Sequence, residues 1–179
     1  MSKPIFVSFY TPTYKDEVYK LERSLKFYKL EYLIFDVKCR GSWDANTKIK
    51  VEIIKFVLSS YKRPVVYVDV DAVVQSNPIL FDDFKCDIAY HKKNNIEVLS
   101  GTLYFGHTDA AIQILEAWDK ENKVHPKVWD QRNLASVLNK VDHVAELLPA
   151  AYCQIFDSMR GPEPVIEHFQ ASRRLKRKV

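Results

Sequence analysis

Asp69 and Asp71 stand two apart near the end of PVVYVDVDAVV, Pro64 to Val74, a run otherwise made almost entirely of apolar residues. A carboxylate is expensive to bury, and two carboxylates close together repel. On a strand, side chains two apart share a face, and two anions on one face require a cation between them. Hard oxygen donors suit Mg²⁺ or Mn²⁺, ions that keep coordination positions open for the phosphate oxygens of a substrate. The competing reading makes one aspartate the cap of the loop leading into Ser76-Asn77-Pro78 and leaves the other solvated.

Other residues carry weaker signals. Gly101, after Ser100 in VLSGTLYF, marks a bulge or a close approach within a predicted strand. Asp130, in Trp129-Asp130-Gln131, is a good helix N-cap. His168, in VIEHF, reads by itself as a strand histidine bonded to a backbone group. Arg40 follows the second predicted strand and Lys50 lies one turn into the next predicted helix. Both could approach a ligand at one sheet edge, although such charges are ordinarily solvated.

The elements that must position these residues alternate. Ile5 to Tyr10 (IFVSFY) is a short apolar and aromatic run bounded by Pro4 and Thr11-Pro12, a buried strand. DEVYKLERSLKFYKLEY, residues 16–32, places Val18, Leu21, Leu25 and Tyr28 at helical spacing, and Leu33 to Val37 is a second strand. From Asn46 to Tyr61 the period is helical again, with Ile49, Ile53, Phe56, Val57 and Ser60 on one face; Pro64 then opens the third strand. This βαβαβ order predicts an α/β fold with a mostly parallel central sheet and helices on both faces, and the apolar third strand fits a position covered on both sides. Asp69 and Asp71 then fall at the carboxyl end of a parallel strand, where open α/β sheets bind ligands. Cys86 to His91 and Val98 to Phe105 are further strands, Thr108 caps a helix reaching about Asn122, Asp130 can cap another, and VIEHF adds a last short strand.

With 179 residues, 47% hydrophobic and 28% charged, the chain suits one domain spanning 1–179 with a real core. The net charge of +4 owes much to the final RRLKRKV and comes without any nucleic-acid motif. Cys39, Cys86 and Cys153 form no CxxC pair, so reduced thiols and a cytoplasmic location are expected, with no signal peptide and no membrane span.

At this point the sequence resembles the GT-A fold glycosyltransferases, in particular the retaining, nucleotide-sugar-dependent families with a D-x-D motif. YVDVDAVVQSNP looks like their D-x-D strand and turn, and GSWDANTKIKVEIIKFVLSSY is similar to the helix before it. LSGTLYF resembles the strand lining their sugar site, WDQRNLASVL the helix opening that follows, and LPAAYCQIFD and PVIEHFQASRRLK the closing segments. The resemblance covers nearly the whole chain. It implies a single GT-A-like, Rossmann-like domain in which Asp69, Asp71 and His168 hold Mn²⁺ or Mg²⁺, with Asp69 also touching the nucleotide. Tyr10 and Thr11 match where the family grips the base; Arg40 and Lys50 approach the same nucleotide. Ser100, Gly101 and Asp130 meet the transferred sugar, and Asp130 and Gln131 sit beside its anomeric carbon. The family ending H-x-x-G-x-x-K-P-W stands here as HFQASRRLK, so Arg173, Arg174 or Lys176 would replace its diphosphate-binding lysine. The implied activity is transfer of a sugar from a nucleoside-diphosphate sugar, UDP favoured, to a glycan or other hydroxyl acceptor. At 179 residues the chain is small for such an enzyme, so further domains or a partner subunit would complete the acceptor site.

Two rival readings use the same residues. In haloacid-dehalogenase-like phosphatases a strand-borne D-x-D carries a nucleophile and an acid, but normally after the first strand, and their later acidic pair has no counterpart here. A non-catalytic sugar-nucleotide-binding module would account for the short length and basic tail.

Overall fold

The computed structural model describes residues 2–159, 161 and 163–175. In chain order they form β1 (Ile5–Tyr10), α1 (Lys15–Phe27), β2 (Tyr32–Asp36), α2 (Trp43–Thr47), α3 (Ile49–Tyr61), β3 (Val65–Val68), β4 (Ala72–Val74), β5 (Ile88–Lys93) and β6 (Glu97–Phe105). The remainder forms α4 (Asp109–Val124), α5 (Asp130–Leu138), β7 (Ala145–Leu147), β8 (Gln154–Ile155), β9 (Ile166–His168) and α6 (Ser172–Leu175). Six strands make the main sheet in the order β2-β1-β3-β6-β5-β7, and a small second sheet runs β4-β9-β8. In the main sheet β1 is parallel to β2 and β3, and β7 is parallel to β5. Only β6 runs against its neighbours. The mostly parallel α/β sheet expected from the element order is therefore what the chain forms.

Both faces of this sheet are covered, which is why its central strands are apolar without alternation. Ile5, Val7, Val65 and Tyr67 pack on one side with α3, α4 and α5, around the fully buried Trp118. Phe6, Val66 and Val68 pack on the other with Leu21 and Leu25 of α1, a cluster of rings centred on Phe81, and Ile166 of the small sheet. Phe81 touches Phe6, Phe84, Tyr104 and Tyr152, with centroids between 5.2 and 6.3 Å away.

Several boundaries differ from the periodicity. α1 stops at Phe27, short of Tyr32, because Lys29 adopts a left-handed backbone (φ 54) and the Leu30 N–H closes on the Leu25 carbonyl at 3.0 Å. The helix expected from Asn46 starts earlier, at Trp43, with the Ser42 side chain capping the Ala45 N–H, and breaks at Lys48. The buried face of α3 also turns relative to the expected one. Phe56 and Ser60 face outward, and Lys50, Ile54, Val57 and Leu58 face in. The fifth strand starts two residues later than Cys86.

Gly106 ends β6 where no side chain fits: a Cβ there would stand 2.4 Å from the Cys86 carbonyl oxygen. Its N–H bonds the Asp87 carbonyl at 2.9 Å, which pins the backbone. Gly106→Ala is expected to lower stability by about 1–3 kcal/mol, an overpacking cost, read as a reduced midpoint in urea denaturation.

Candidate active site

β3 ends at Val68 and β4 begins at Ala72, so Asp69 and Asp71 lie in the turn between two strands and do not alternate along one. The same-face expectation fails because the chain leaves the sheet before the first aspartate. A tight turn, with the Ala72 N–H on the Asp69 carbonyl at 3.0 Å, brings the two carboxylates together instead. Immediately afterwards β4 pairs antiparallel with β9, and Ala72 stands opposite His168. Ligand atoms of Asp69, Asp71 and His168 thus come within 4.8 Å of one another.

The histidine is prepared for such a role. Its Nε2 lies 2.8 Å from Thr102 Oγ1 and its Nδ1 is 4.0 Å from Asp71 Oδ1. A donor bond from Nε2 to Thr102 leaves the Nδ1 lone pair facing the carboxylates, the arrangement by which a neighbouring oxygen fixes a ligand tautomer. Burial pushes its pKa down to about 4, so the ring is neutral near pH 7. Asp71 moves the other way: burial, and then the charge of Asp69, push it up to about 7, although the Ala171 N–H donates to its Oδ2 at 2.7 Å.

The sequence SGT is shaped by a break in the sheet. Tyr90 pairs with Leu103, yet His91 pairs with Leu99, leaving Ser100, Gly101 and Thr102 as extra residues on β6 with no partner on β5. Such bulges re-aim side chains beside sites, and here all three contribute. The Ser100 hydroxyl donates to Asp130 Oδ2 at 3.1 Å, the Gly101 carbonyl receives the Asp69 N–H at 2.8 Å, and Thr102 holds His168. Gly101 has no substitute, since a Cβ would lie 2.9 Å from the His168 ring and 3.3 Å from Asp69 Oδ2.

Lys50 joins the halves of the site. Its ammonium lies 3.2 Å from Asp69 Oδ1 and 3.1 Å from Asp130 Oδ2, and donates to the Ser100 carbonyl and hydroxyl at 2.9 and 3.0 Å. It also sits 4.9 Å from the centre of the Tyr67 ring, whose hydroxyl donates to Asp69 Oδ1 at 2.8 Å. Burial alone would depress the lysine; the carboxylates of Asp130 and Asp69 more than reverse this and hold it above its ordinary value. These groups open into a cleft of about 610 Å³ running from Tyr10 and Thr11 to Arg173, with Trp43 and Trp129 at its rim, their rings edge to face with centroids 6.2 Å apart. That size is ordinary for a cofactor or small-molecule site.

A family profile described as nucleotide-diphospho-sugar transferase matches residues 41–179, the part of the chain that carries all of the cleft except the exit of β1. The chain belongs to the nucleotide-diphospho-sugar transferase family. By that membership it is a glycosyltransferase. Solved structures agree on the fold. A glycosyltransferase involved in the glycosylation of the major capsid of PBCV-1 superposes with a TM-score of 0.77 at 11% identity, over 94% of this chain and 93% of that one. The glycosyltransferase GlyE of Streptococcus pneumoniae TIGR4 gives 0.68 at 16% identity, and its apo form 0.63 at 15%. The transferase spans only 55% and 54% of those two chains. No curated protein sequence matches it. No helix among the described residues is long and apolar enough to cross a membrane.

In the transferase, Tyr10, Thr11, Lys50, Asp69, Asp71, Ser100, Gly101, Asp130, Gln131, His168 and Arg173 all line the cleft. Tyr10 donates to Asp36 at 3.2 Å, and Gln131 is tied to Glu97 at 2.8 Å. Asp130 does not cap α5: Trp129 is the N-cap, and the carboxylate turns inward to Lys50 and Ser100. Arg40 stays outside, its guanidinium held by both oxygens of Glu52 at 2.6 and 2.7 Å. Arg174 does not line the cleft because it pairs with the buried Glu17, whereas Arg173 lines it while paired with Asp157. Lys176 lies outside the described residues. Tyr67 and Thr102 were missed by sequence reasoning; each stands two residues from a recognised one, Asp69 or Ser100, which was the available signal.

Two substitutions should move stability in opposite directions when chelator keeps the protein metal-free. Lys50→Met leaves Asp69 and the buried Asp130 without a counter-charge and should cost about 3 kcal/mol or more. Asp71→Asn should stabilise at pH 8 by roughly 1–2 kcal/mol, a few degrees in Tm. The folded-state pKa of Asp71 is raised, so the wild-type penalty is absent below the unfolded value, grows as pH rises and is complete above about 7. The gain should therefore vanish towards pH 4 in thermal melts; a gain independent of pH would contradict this.

Proposed function

We propose that the chain is a metal-dependent glycosyltransferase that moves a sugar from a nucleoside-diphosphate sugar, UDP favoured, to a hydroxyl of a glycan. The observation that carries this is the convergence of Asp69, Asp71 and His168, with ligand atoms within 4.8 Å, on the cleft that also holds Asp130. The donor set suits a divalent cation. Two carboxylate oxygens and one neutral imidazole are compatible with Mn²⁺ and less so with Mg²⁺. Charge favours it too: Asp69, Asp71 and Asp130 face the single ammonium of Lys50, an excess of two negative charges when all are ionised.

Bound there, the ion supplies Lewis-acid neutralisation of charge on the leaving diphosphate. The protein's own groups do the rest. Tyr10 and Thr11 grip the base at the exit of β1, Asp69 reaches the nucleotide, and Arg173 is the cationic partner for the diphosphate. Ser100 and Gly101 bring the bulge against the transferred sugar. Asp130, already paired with Lys50 and accepting from Ser100, is fixed in place. It holds sugar hydroxyls and stabilises positive charge developing at the anomeric carbon, with Gln131 beside it. The acceptor hydroxyl bonds to the anomeric carbon as the bond from that carbon to the diphosphate oxygen breaks, and the acceptor proton passes to the leaving phosphate, the course of a retaining enzyme. Free thiols at Cys39, Cys86 and Cys153 fit a reducing, cytoplasmic setting. Further domains or a partner subunit would complete the acceptor site.

A thermal-shift screen of nucleoside-diphosphate sugars with Mn²⁺ or Mg²⁺ tests the donor. One sugar nucleotide is expected to raise Tm only with metal present, and a flat response to every nucleoside diphosphate plus metal refutes the reading. Asp130→Asn should retain that shift while transfer falls by about 10²-fold or more, as expected for loss of electrostatic stabilisation. Transfer unchanged in this variant would remove Asp130 from the mechanism.

A further inference from the structure

Phe156 and Phe169 have no part in the site described so far. Their rings stack, with centroids 5.7 Å apart and planes 25° from parallel, yet 48% and 37% of their surfaces remain exposed. Neither ring is loosely placed. The Phe156 N–H donates to the His168 carbonyl at 3.2 Å, and the Phe169 N–H donates to the Asp71 carbonyl at 3.0 Å. Both backbones are therefore pinned to residues of the Asp69–Asp71–His168 group. Their chain neighbours Ile155, His168 and Gln170 line the cleft, so the stacked pair lies beside it, outside the lining itself.

The surroundings of the pair are polar. Asp157 pairs with Arg173, and the Lys93 ammonium donates to Ser158 at 3.4 Å; Arg173 and Lys93 line the cleft as well. Two adjoining exposed rings with hydrogen-bonding groups beside them offer a ligand an apolar face and polar partners together. A pyranose ring matches both halves of this one. Its axial C–H bonds form an apolar, slightly positive face suited to the negative face of an aromatic ring, while its hydroxyls project sideways to reach carboxylate, guanidinium and ammonium groups. The proposed donor already accounts for the rest of the cleft, with its base at Tyr10 and Thr11, its diphosphate at the carboxylates and its sugar at Asp130. The surface beside His168 is left for the second substrate.

We propose that Phe156 and Phe169 form a stacking subsite for a pyranose ring of the acceptor glycan. The proposal rests on the glycosyltransferase reading above and adds to it the residues that receive the acceptor and the ring face by which they do so.

Saturation-transfer difference NMR tests this on the full chain with UDP and Mn²⁺, using methyl glucosides, galactosides and mannosides of both anomeric forms as probes. At least one probe should receive saturation chiefly at the C–H protons of a single ring face. Phe156→Ala and Phe169→Ala should each weaken that binding by roughly 2- to 10-fold, the range carried by one stacking contact. Phe156→Leu, which keeps apolar bulk without a ring, should behave like the alanine variant, and Phe156→Trp should restore binding. The thermal shift given by UDP plus metal should be unchanged in all four, which also reports their folding. Saturation unaffected by either alanine variant, or no saturation of any probe by protein that binds UDP, overturns the subsite. So does finding that the pair governs another contact: phosphatidylglycerol vesicles that capture wild-type protein but not Phe156→Ala would assign the patch to a lipid surface, and a dimer dissociated by the same change would assign it to a second copy. Pyranoside binding lost in the variants, in a protein that binds no nucleotide, would keep the subsite and refute the donor reading alone.

Discussion

Lys50 lies inside the protein with its ammonium shared between Asp69 and Asp130, and the geometry of the cleft depends on that contact. The two carboxylates come from opposite ends of the architecture, one from the turn after β3 and the other from the first residue of α5. Without a buried cation between them they would repel, and the desolvated Asp130 would have no counter-charge. The ammonium also fixes the bulge through both the carbonyl and the hydroxyl of Ser100. One side chain from α3 therefore sets the distance between the Asp69–Asp71–His168 group and Asp130.

The bulge supplies the second constraint. A regular β6 would direct Ser100 and Thr102 along an ordinary pleat and leave Gly101 aligned with a partner on β5. Three extra residues loosen that pairing and let the strand serve Asp130, Asp69 and His168 at once. Irregularity of this kind accumulates where a fold departs from ideal geometry to hold a site. The sheet on either side of it remains regular.

Much of this was legible from the residues. Apolar periodicity located the strands and helices because the sheet is covered on both faces, and the paired aspartates pointed to a cation because charge so close to a core needs a partner. Other features depend on contacts between distant segments, which periodicity does not report. Asp130 reads as an N-cap from its local pattern, yet Lys50 and Ser100 draw its carboxylate inward. Lys50 reads as surface charge by type, although its spacing to Ile54 and Val57 places it on the buried stripe of α3. Arg40 and Arg174 look available by composition, but Glu52 and Glu17 hold them away from the cleft. The position of the Asp69-Asp71 pair was right while its geometry was not, because the point at which a strand gives way to a turn is set by hydrogen bonding across the sheet and not by side-chain type.

The pairing of β4 with β9 has a consequence for how the protein comes into being. β4 follows the aspartates almost at once, but its partner strand, which carries His168, comes only after β5 to β8 and the helices between them. A chain that has reached the end of β6 still lacks His168 beside the two aspartates. Docking β9 against β4 closes one of the longest sequence separations in the fold, the kind of contact that forms late and slowly. Bringing His168 beside Asp69 and Asp71 therefore waits on that long-range docking, however early the turn that carries the aspartates has formed.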